Sequence, residues 1–193
     1  QSARMQVYFI DNQEYFERKH TLTDKKGADF ADNDERAIFF CRGVIETVKK
    51  LGWSPDVVHL HGWMTSLTAL YLKKSFKDNP LFAETKIVYS VYDDEFTTPL
   101  NKDFAKKVLH EGIEKGDLEH YKNPTFVNVS KAAIDLCDGI IKGSAKINSD
   151  VEKYIKKSGK PYLDFVGGEN NEYIDAYSEF YDAVLEEVAE MVD

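Results

Sequence analysis

Five short runs rich in Val, Ile, Tyr or Phe, at 5–10, 56–60, 86–91, 139–142 and 162–166, are separated by stretches long enough to hold helices. Several of them, such as DVVHL and KIVYSV, lack the strict polar/apolar alternation of a strand with one wet face. Strands read this way when helices cover both faces of their sheet, as in buried, mainly parallel sheets. Parallel neighbours need crossover connections of about a dozen residues or more, and the intervening segments supply them. The pattern predicts an α/β fold: an open, doubly wound, mainly parallel sheet of Rossmann-like type. At 193 residues the chain suits one domain spanning 1–193 and is long enough to bury a real core.

The clearest helix is expected over 33–51. Ala37, Phe40, Val44, Ile45, Val48 and Leu51 recur at helical spacing, and Phe39 and Cys41 widen the stripe. Lys49 and Lys50 suit the negative end of the helix dipole, and Gly52 stops the helix. Further helices are expected near 63–76, 126–136, 144–157 and 171–191. The last carries Tyr173, Ala176, Tyr177, Phe180, Val184, Leu185 and Val188 on one side. The polar stretch 97–124, with Gly112 and Gly116, reads as an inserted loop with short helices. No internal repeat is visible.

Charge narrows the classes of partner. With 25 Lys plus Arg against 34 Asp plus Glu, the net charge is −9, and no dense basic cluster stands out. A polyanion partner usually demands a basic face, so no nucleic acid is expected. No apolar run approaches the ~18 residues of a bilayer span, so no membrane partner is expected either. Cys41 and Cys137 stand far apart with no further ligand at metal spacing. They read as reduced core thiols in a cytoplasmic setting, with no metal and no cofactor expected. The chain opens on Gln1, which suggests a fragment or a processed form.

Ligands of an open α/β sheet bind beyond the carboxyl ends of its strands. His61, Gly62 and Trp63 follow one such strand. Gly62 allows close backbone approach, and the helix start behind it offers free N–H groups. His61 either donates to a substrate hydroxyl or carries a proton, or else it buttresses the loop. His59, inside the strand, reads as a satisfied core histidine. Trp63 either stacks on a sugar face or packs inward. Tyr92, Asp93, Asp94 and Glu95 follow the next strand, where three acids suit a metal, a polyhydroxy ligand or a solvated turn capped by Asp94. In GADFADNDER, Asp32 and Glu35 fit a capping box, while Arg36 is free to pair with Asp32 or to reach an anion. Lys142, Gly143 and Ser144 loosely suggest a phosphate-cradling turn.

These motifs, taken in order, resemble one family. VYFIDNQEYFERK, DFADNDERAIFFCRGVIETVKKLGWSPDVVHLHGWMTSLTALYLK and DNPLFAETKIVYSV are similar to the N-terminal half of bacterial-type glycogen and starch synthases, almost continuously from Val7 to Val91. VSKAAIDLCDGIIKGSAKIN is a weaker echo of a later segment. The resemblance implies half of a GT-B glycosyltransferase, in which two Rossmann-like domains enclose a cleft. Such enzymes move glucose from ADP-glucose to the non-reducing end of an α-1,4-glucan with retention, and basic groups and helix N-termini stabilise the leaving diphosphate without a metal. It further implies that His61 contacts the transferred glucose and that Asp32 and Asn33 line the cleft. From their own positions beside the strand ends and the helix start, Trp63, Gly62, Arg36, Tyr92 and Asp93 are expected to join them around the substrate. The implied partners are ADP-glucose, an α-1,4-glucan, and a second GT-B domain or a further copy of the chain.

The sequence also departs from the family pattern. The family's first strand and its Lys-x-Gly-Gly-Leu donor loop lie before the point where this chain starts, and its second domain lies after the point where it ends. Tyr92-Asp93 stand where the family reads His-Asn, and Gly62 stands where it usually has Asp. These departures open an alternative, a noncatalytic single-domain relative that binds glucan or regulates a partner.

Overall fold

The structure is a computed structural model that describes residues 5–167 and 172–186. Four strands, β1 (Val57–His61), β2 (Lys86–Val91), β3 (Gly139–Lys142) and β4 (Tyr162–Leu163), form one fully parallel sheet in sequential order. The helices are α1 (Gln13–Phe16), α2 (Asn33–Leu51), α3 (Leu67–Leu70, running on as a π-helical turn through Tyr71–Ser75), α4 (Phe104–Val108), α5 (Phe126–Leu136), α6 (Ser149–Ser158) and α7 (Glu172–Glu186). This is the expected α/β class with an open parallel sheet. Among the described residues, no helix is long and apolar enough to cross a membrane.

Successive strand residues point to opposite faces, so each strand feeds two cores. Val58, Leu60, Ile87, Tyr89, Val91 and Ile140 turn to the face where the main core gathers residues of α2, α3, α5 and α6. Consecutive parallel strands joined by crossovers of one hand place their connecting helices on one side, and this core is where they meet. Val57, Val88, Ile141 and Leu163 turn the other way, onto Tyr177, Phe180, Tyr181 and Val184 of α7. The contact is close at the start of β3, where a Cβ on Gly139 would lie 2.7 Å from Val184 and 3.1 Å from Phe180.

Helix α2 begins and ends where the sequence predicts, and Gly52 closes it at φ 65°. Helix α7 replaces the expected 171–191, whose ends lie outside the described residues. Helix α6 starts at Ser149 instead of 144, because the Asn148 side chain accepts from the backbone N–H groups of Asp150 and Val151 and caps it there. Both cysteines are buried thiols, with burial pushing Cys41 up to about 11 and Cys137 up to about 12.

Two expectations need correction. Residues 5–10 form no strand: Met5 and Phe9 are largely exposed, and Ile10 lies against Gly43 of α2 and not beside the sheet. An apolar run becomes a strand only with a ladder partner, and this one has none among the described residues. The stretch 97–124 does hold the expected short helices, but it is not a loop apart from the core, because Phe104, Val108, Ile113, Leu118 and Tyr121 are buried there. Its polar residues occupy the outer side of α4 and of the 3-10 helix Lys115–Lys122, and that composition hid the apolar stripe.

Candidate functional site

The site is built where β1 and β2 end. His61 is the last residue of β1, in register with Ser90 of β2, and the Gly62 amide donates to the Ser90 carbonyl. Gly62 has φ 74° and ψ 173°, a region essentially reserved for glycine. A side chain there would also collide with Asp94, whose Oδ2 lies 2.3 Å from the place a Cβ would take. That oxygen accepts from the Trp63 amide at 3.1 Å, so Asp94 caps the 3-10 turn Trp63–Thr65 from the loop that follows β2. Burial pushes the Asp94 carboxyl up to about 6, against the opposing pull of the Trp63 amide. The expected solvated turn at Asp94 is therefore a half-buried brace.

On the α7 face, the rings of His59 and His61 lie 3.9 Å apart, centroid to centroid. His59 is bonded at both nitrogens, Nδ1 to the Tyr181 hydroxyl at 2.6 Å and Nε2 to the Ser90 hydroxyl at 2.7 Å. Burial lowers its pKa to about 3, with the neighbouring His61 adding to the shift, so the ring is neutral. This is the satisfied histidine the sequence predicts. His61 is exposed on one side, and burial of the remainder lowers its pKa as well. Its Nδ1 meets the Tyr92 hydroxyl at 2.7 Å, and among the described residues its Nε2 has no partner. At the rim of the sheet the arrangement presents a neutral imidazole with one free nitrogen, a group suited to hydrogen-bonding a hydroxyl.

Tyr92 lies flat over Gly143 at the end of β3, where a Cβ would meet its ring at 2.5–2.8 Å. Ser144 accepts from the Asp93 amide at 3.1 Å, fixing the turn, and the Asp93 side chain stays in solvent. The Lys142-Gly143-Ser144 turn thus serves as a seat for Tyr92 and not as a phosphate cradle. The Lys142 ammonium is already engaged by Glu152 at 3.1 Å and Asp164 at 3.5 Å.

The other predicted residues go elsewhere. Trp63 is 1% exposed and packs edge-on against Phe96, so neither face is free for a sugar. Asp32 does not cap α2: it binds Arg18, with Nη1 to Oδ1 at 2.8 Å, because a two-pronged ion pair outweighs a single cap bond. Glu35 likewise abandons the capping box for Lys107 and Tyr15. The Arg36 guanidinium does not pair with Asp32. Arg36 is 2% exposed, sits over the rings of Phe16 and Phe30, donates to the Tyr15 carbonyl at 2.8 Å, and donates to Asn33 at 2.6 Å. Asn33 in turn donates to the Leu22 carbonyl. Asn33 and Arg36 are thus braces that tie the segment 15–30 to α2.

His61, Gly62, Tyr92 and the Asp93 backbone converge at one rim, whereas Asp32, Asn33, Arg36 and Trp63 do not join them. Sequence reasoning missed the partners that α7 and β2 bring, namely Ser90, Tyr177 and Tyr181. The i, i+4 pair Tyr177/Tyr181 and the alternating His59/His61 were visible, but the sequence does not say that they face each other. A groove of about 570 Å³ runs along the outer side of α2, lined by Tyr15, Glu35, Phe39, Arg42, Glu46 and Lys107, and it holds none of the predicted site residues. Among the described residues, no cluster of His, Cys, Asp and Glu could hold a metal ion.

Comparison with known proteins converges on one family. The model of the starch synthase catalytic domain matches residues 1–172. A glycogen synthase of Chlorobium luteolum is 31% identical over 170 residues, 88% of this chain and 34% of that protein. A glycogen synthase of Chlorobium limicola is 41% identical over 93 residues, 48% of this chain and 19% of that protein. In fold, the chain is similar to the catalytic domain of starch synthase IV from Arabidopsis thaliana, solved bound to ADP and acarbose. The TM-score is 0.59 at 16% identity, covering 81% of this chain and 33% of that one. The chain thus spans about a third or less of the relatives it matches. It belongs to the starch synthase catalytic domain family, with the GT-B-type α/β fold of that family.

Proposed function

We propose that this chain forms the sugar-facing wall of a glucosyltransferase of the glycogen/starch synthase type, which moves glucose from ADP-glucose to an α-1,4-glucan. The observation that carries the reading is His61, which ends a parallel strand at the carboxyl rim with a neutral ring and an Nε2 that is unengaged among the described residues. In this role the imidazole hydrogen-bonds a hydroxyl of the transferred glucose and positions it for attack by the acceptor. Such orientation is what a wall of this kind contributes, and stabilising the departing diphosphate falls to basic groups across the cleft. Family membership supports the substrate class, and the solved relative was bound to ADP and acarbose.

A second reading is that of a glucan-binding relative without turnover. It is favoured by Tyr92, which carries a phenol where the family motif has His, and by Gly62, where the family usually has Asp. Calorimetry with ADP-glucose and with maltooligosaccharides, beside a glucose-transfer assay, separates the two. Binding of both ligands with transfer supports the enzyme. Oligosaccharide binding alone supports the second reading, and loss of neither ligand in His61→Ala contradicts the role of His61 in both.

A further inference from the structure

Two phenols meet two imidazoles on the α7 face of the sheet. Tyr181 faces His59 Nδ1, Tyr92 faces His61 Nδ1, and the Ser90 hydroxyl lies between, against His59 Nε2. Each contact has two possible directions, and chemistry selects one. A phenol, with an ordinary pKa of about 10, is a good donor, and a neutral imidazole nitrogen is a good acceptor. In the reverse direction a weakly acidic ring N–H would donate to a weakly basic phenol oxygen. The same choice wins at both ends of the array. Tyr181 donates to His59 Nδ1, His59 Nε2–H donates to Ser90, and Tyr92 donates to His61 Nδ1.

We infer that Tyr92 is a positioning residue: its hydroxyl holds neutral His61 in the tautomer that carries its proton on Nε2, the nitrogen left open at the rim. The site then offers a donor, and a sugar hydroxyl meets it through an oxygen lone pair. Gly143 belongs to the same device, because only a residue without a side chain lets the Tyr92 ring lie where its hydroxyl reaches His61. That the donor serves a sugar rests on the proposed function, whereas the tautomer itself does not.

The test is long-range proton–nitrogen correlation NMR on the full ¹⁵N-labelled chain, at a pH above the ordinary histidine range. In the unaltered protein, His61 should show a protonated Nε2 and a bare Nδ1. In Tyr92→Phe the ratio of tautomers should fall by about fivefold, the fold-change equivalent to one ordinary net hydrogen bond, while His59 keeps its nitrogen shifts. Gly143→Ala, which displaces the ring without removing the phenol, should move His61 in the same direction and covers the case of a poorly folded Tyr92→Phe. A proton found on Nδ1 of His61, or His61 shifts untouched by both variants, overturns the inference. Maltooligosaccharide calorimetry on the same samples separates the two claims. A tautomer change without any sugar binding leaves the positioning role standing and removes the proposed function, and the converse removes only the positioning role.

Discussion

The two faces of the sheet are built to different depths. One rests on a core drawn from α2, α3, α5, α6 and the segment 97–124, with Trp63, Tyr71, Tyr89, Phe104 and Tyr121 all fully buried. The other is covered, among the described residues, by α7 alone through Phe180 and Val184. Both histidines of β1 lie on the thin side, and so do the hydroxyls that hold them. The difference shows where the fold keeps its stability and where it keeps polar groups near solvent. A neutral imidazole with a free nitrogen needs partial burial to suppress its charge and an open side to meet a ligand. A face covered by one helix supplies both.

Substitutions on the two faces should have unequal costs. Trp63→Ala on the thick side should cost about 4 kcal/mol, because it empties a fully enclosed volume with little room for collapse. Urea denaturation should show the loss as a lower midpoint. Phe180→Ala on the thin side should cost less, about 2–3 kcal/mol, since its surroundings are partly solvated and can relax. Its distinguishing mark is a rise in the His59 pKa, measured by NMR titration, as the cover loosens. Equal costs for the two variants would erase the distinction between the faces.

Acid should act through the thin face as well. The folded His59 pKa of about 3 lies below its ordinary 6.5, so the unfolded ring takes up a proton that the folded ring refuses. This contribution is intact above about 6.5 and is lost as pH falls toward 3. Asp94 works in the opposite sense. Its folded value of about 6 exceeds the ordinary 3.8, so its contribution is full below 3.8 and is lost as pH rises through 6. Between about pH 4 and 6 the two slopes oppose each other. His59→Gln, which keeps hydrogen-bonding ends but does not titrate, should flatten the acid loss by on the order of 1 kcal/mol, allowing for the solvent-facing part of the ring. Asp94→Asn should steepen it, and urea midpoints across this range read both effects. The smallest effect on stability belongs to His61→Ala, within about 0.5 kcal/mol because the ring is exposed. The same change should weaken maltooligosaccharide binding about tenfold, the equivalent of one well-placed hydrogen bond.

Strand and helix periodicity made the thick face legible. The limits of α2, β2 and β3 follow from unbroken apolar runs, a terminal glycine and dense local signals. The segment 97–124 was harder to read because its apolar residues are spaced over short helices and outnumbered by charges. Residues 5–10 misled for the converse reason: composition describes a strand, but pairing decides one. At the site, the strand-end rule put His61 at the rim of the sheet, while a sugar contact for it came only from the family resemblance. Asp32, Asn33 and Arg36 could not be placed, because a sequence shows which charges exist but not which of them find each other first. Arg18 takes Asp32, and the rings of Phe16 and Phe30 enclose Arg36. Tyr92 stood among the candidates, yet its seat on Gly143 depends on two loops brought together by the order of strands.

The central claim is that the sugar meets this chain at the end of β1, on the side where one helix covers the sheet. Backbone amide NMR during titration with maltotetraose locates the contact residue by residue. The largest shifts are expected at His61, Gly62, Tyr92 and Gly143. Shifts gathered instead at Tyr15, Phe39, Arg42 and Glu46, along the outer groove of α2, would contradict it.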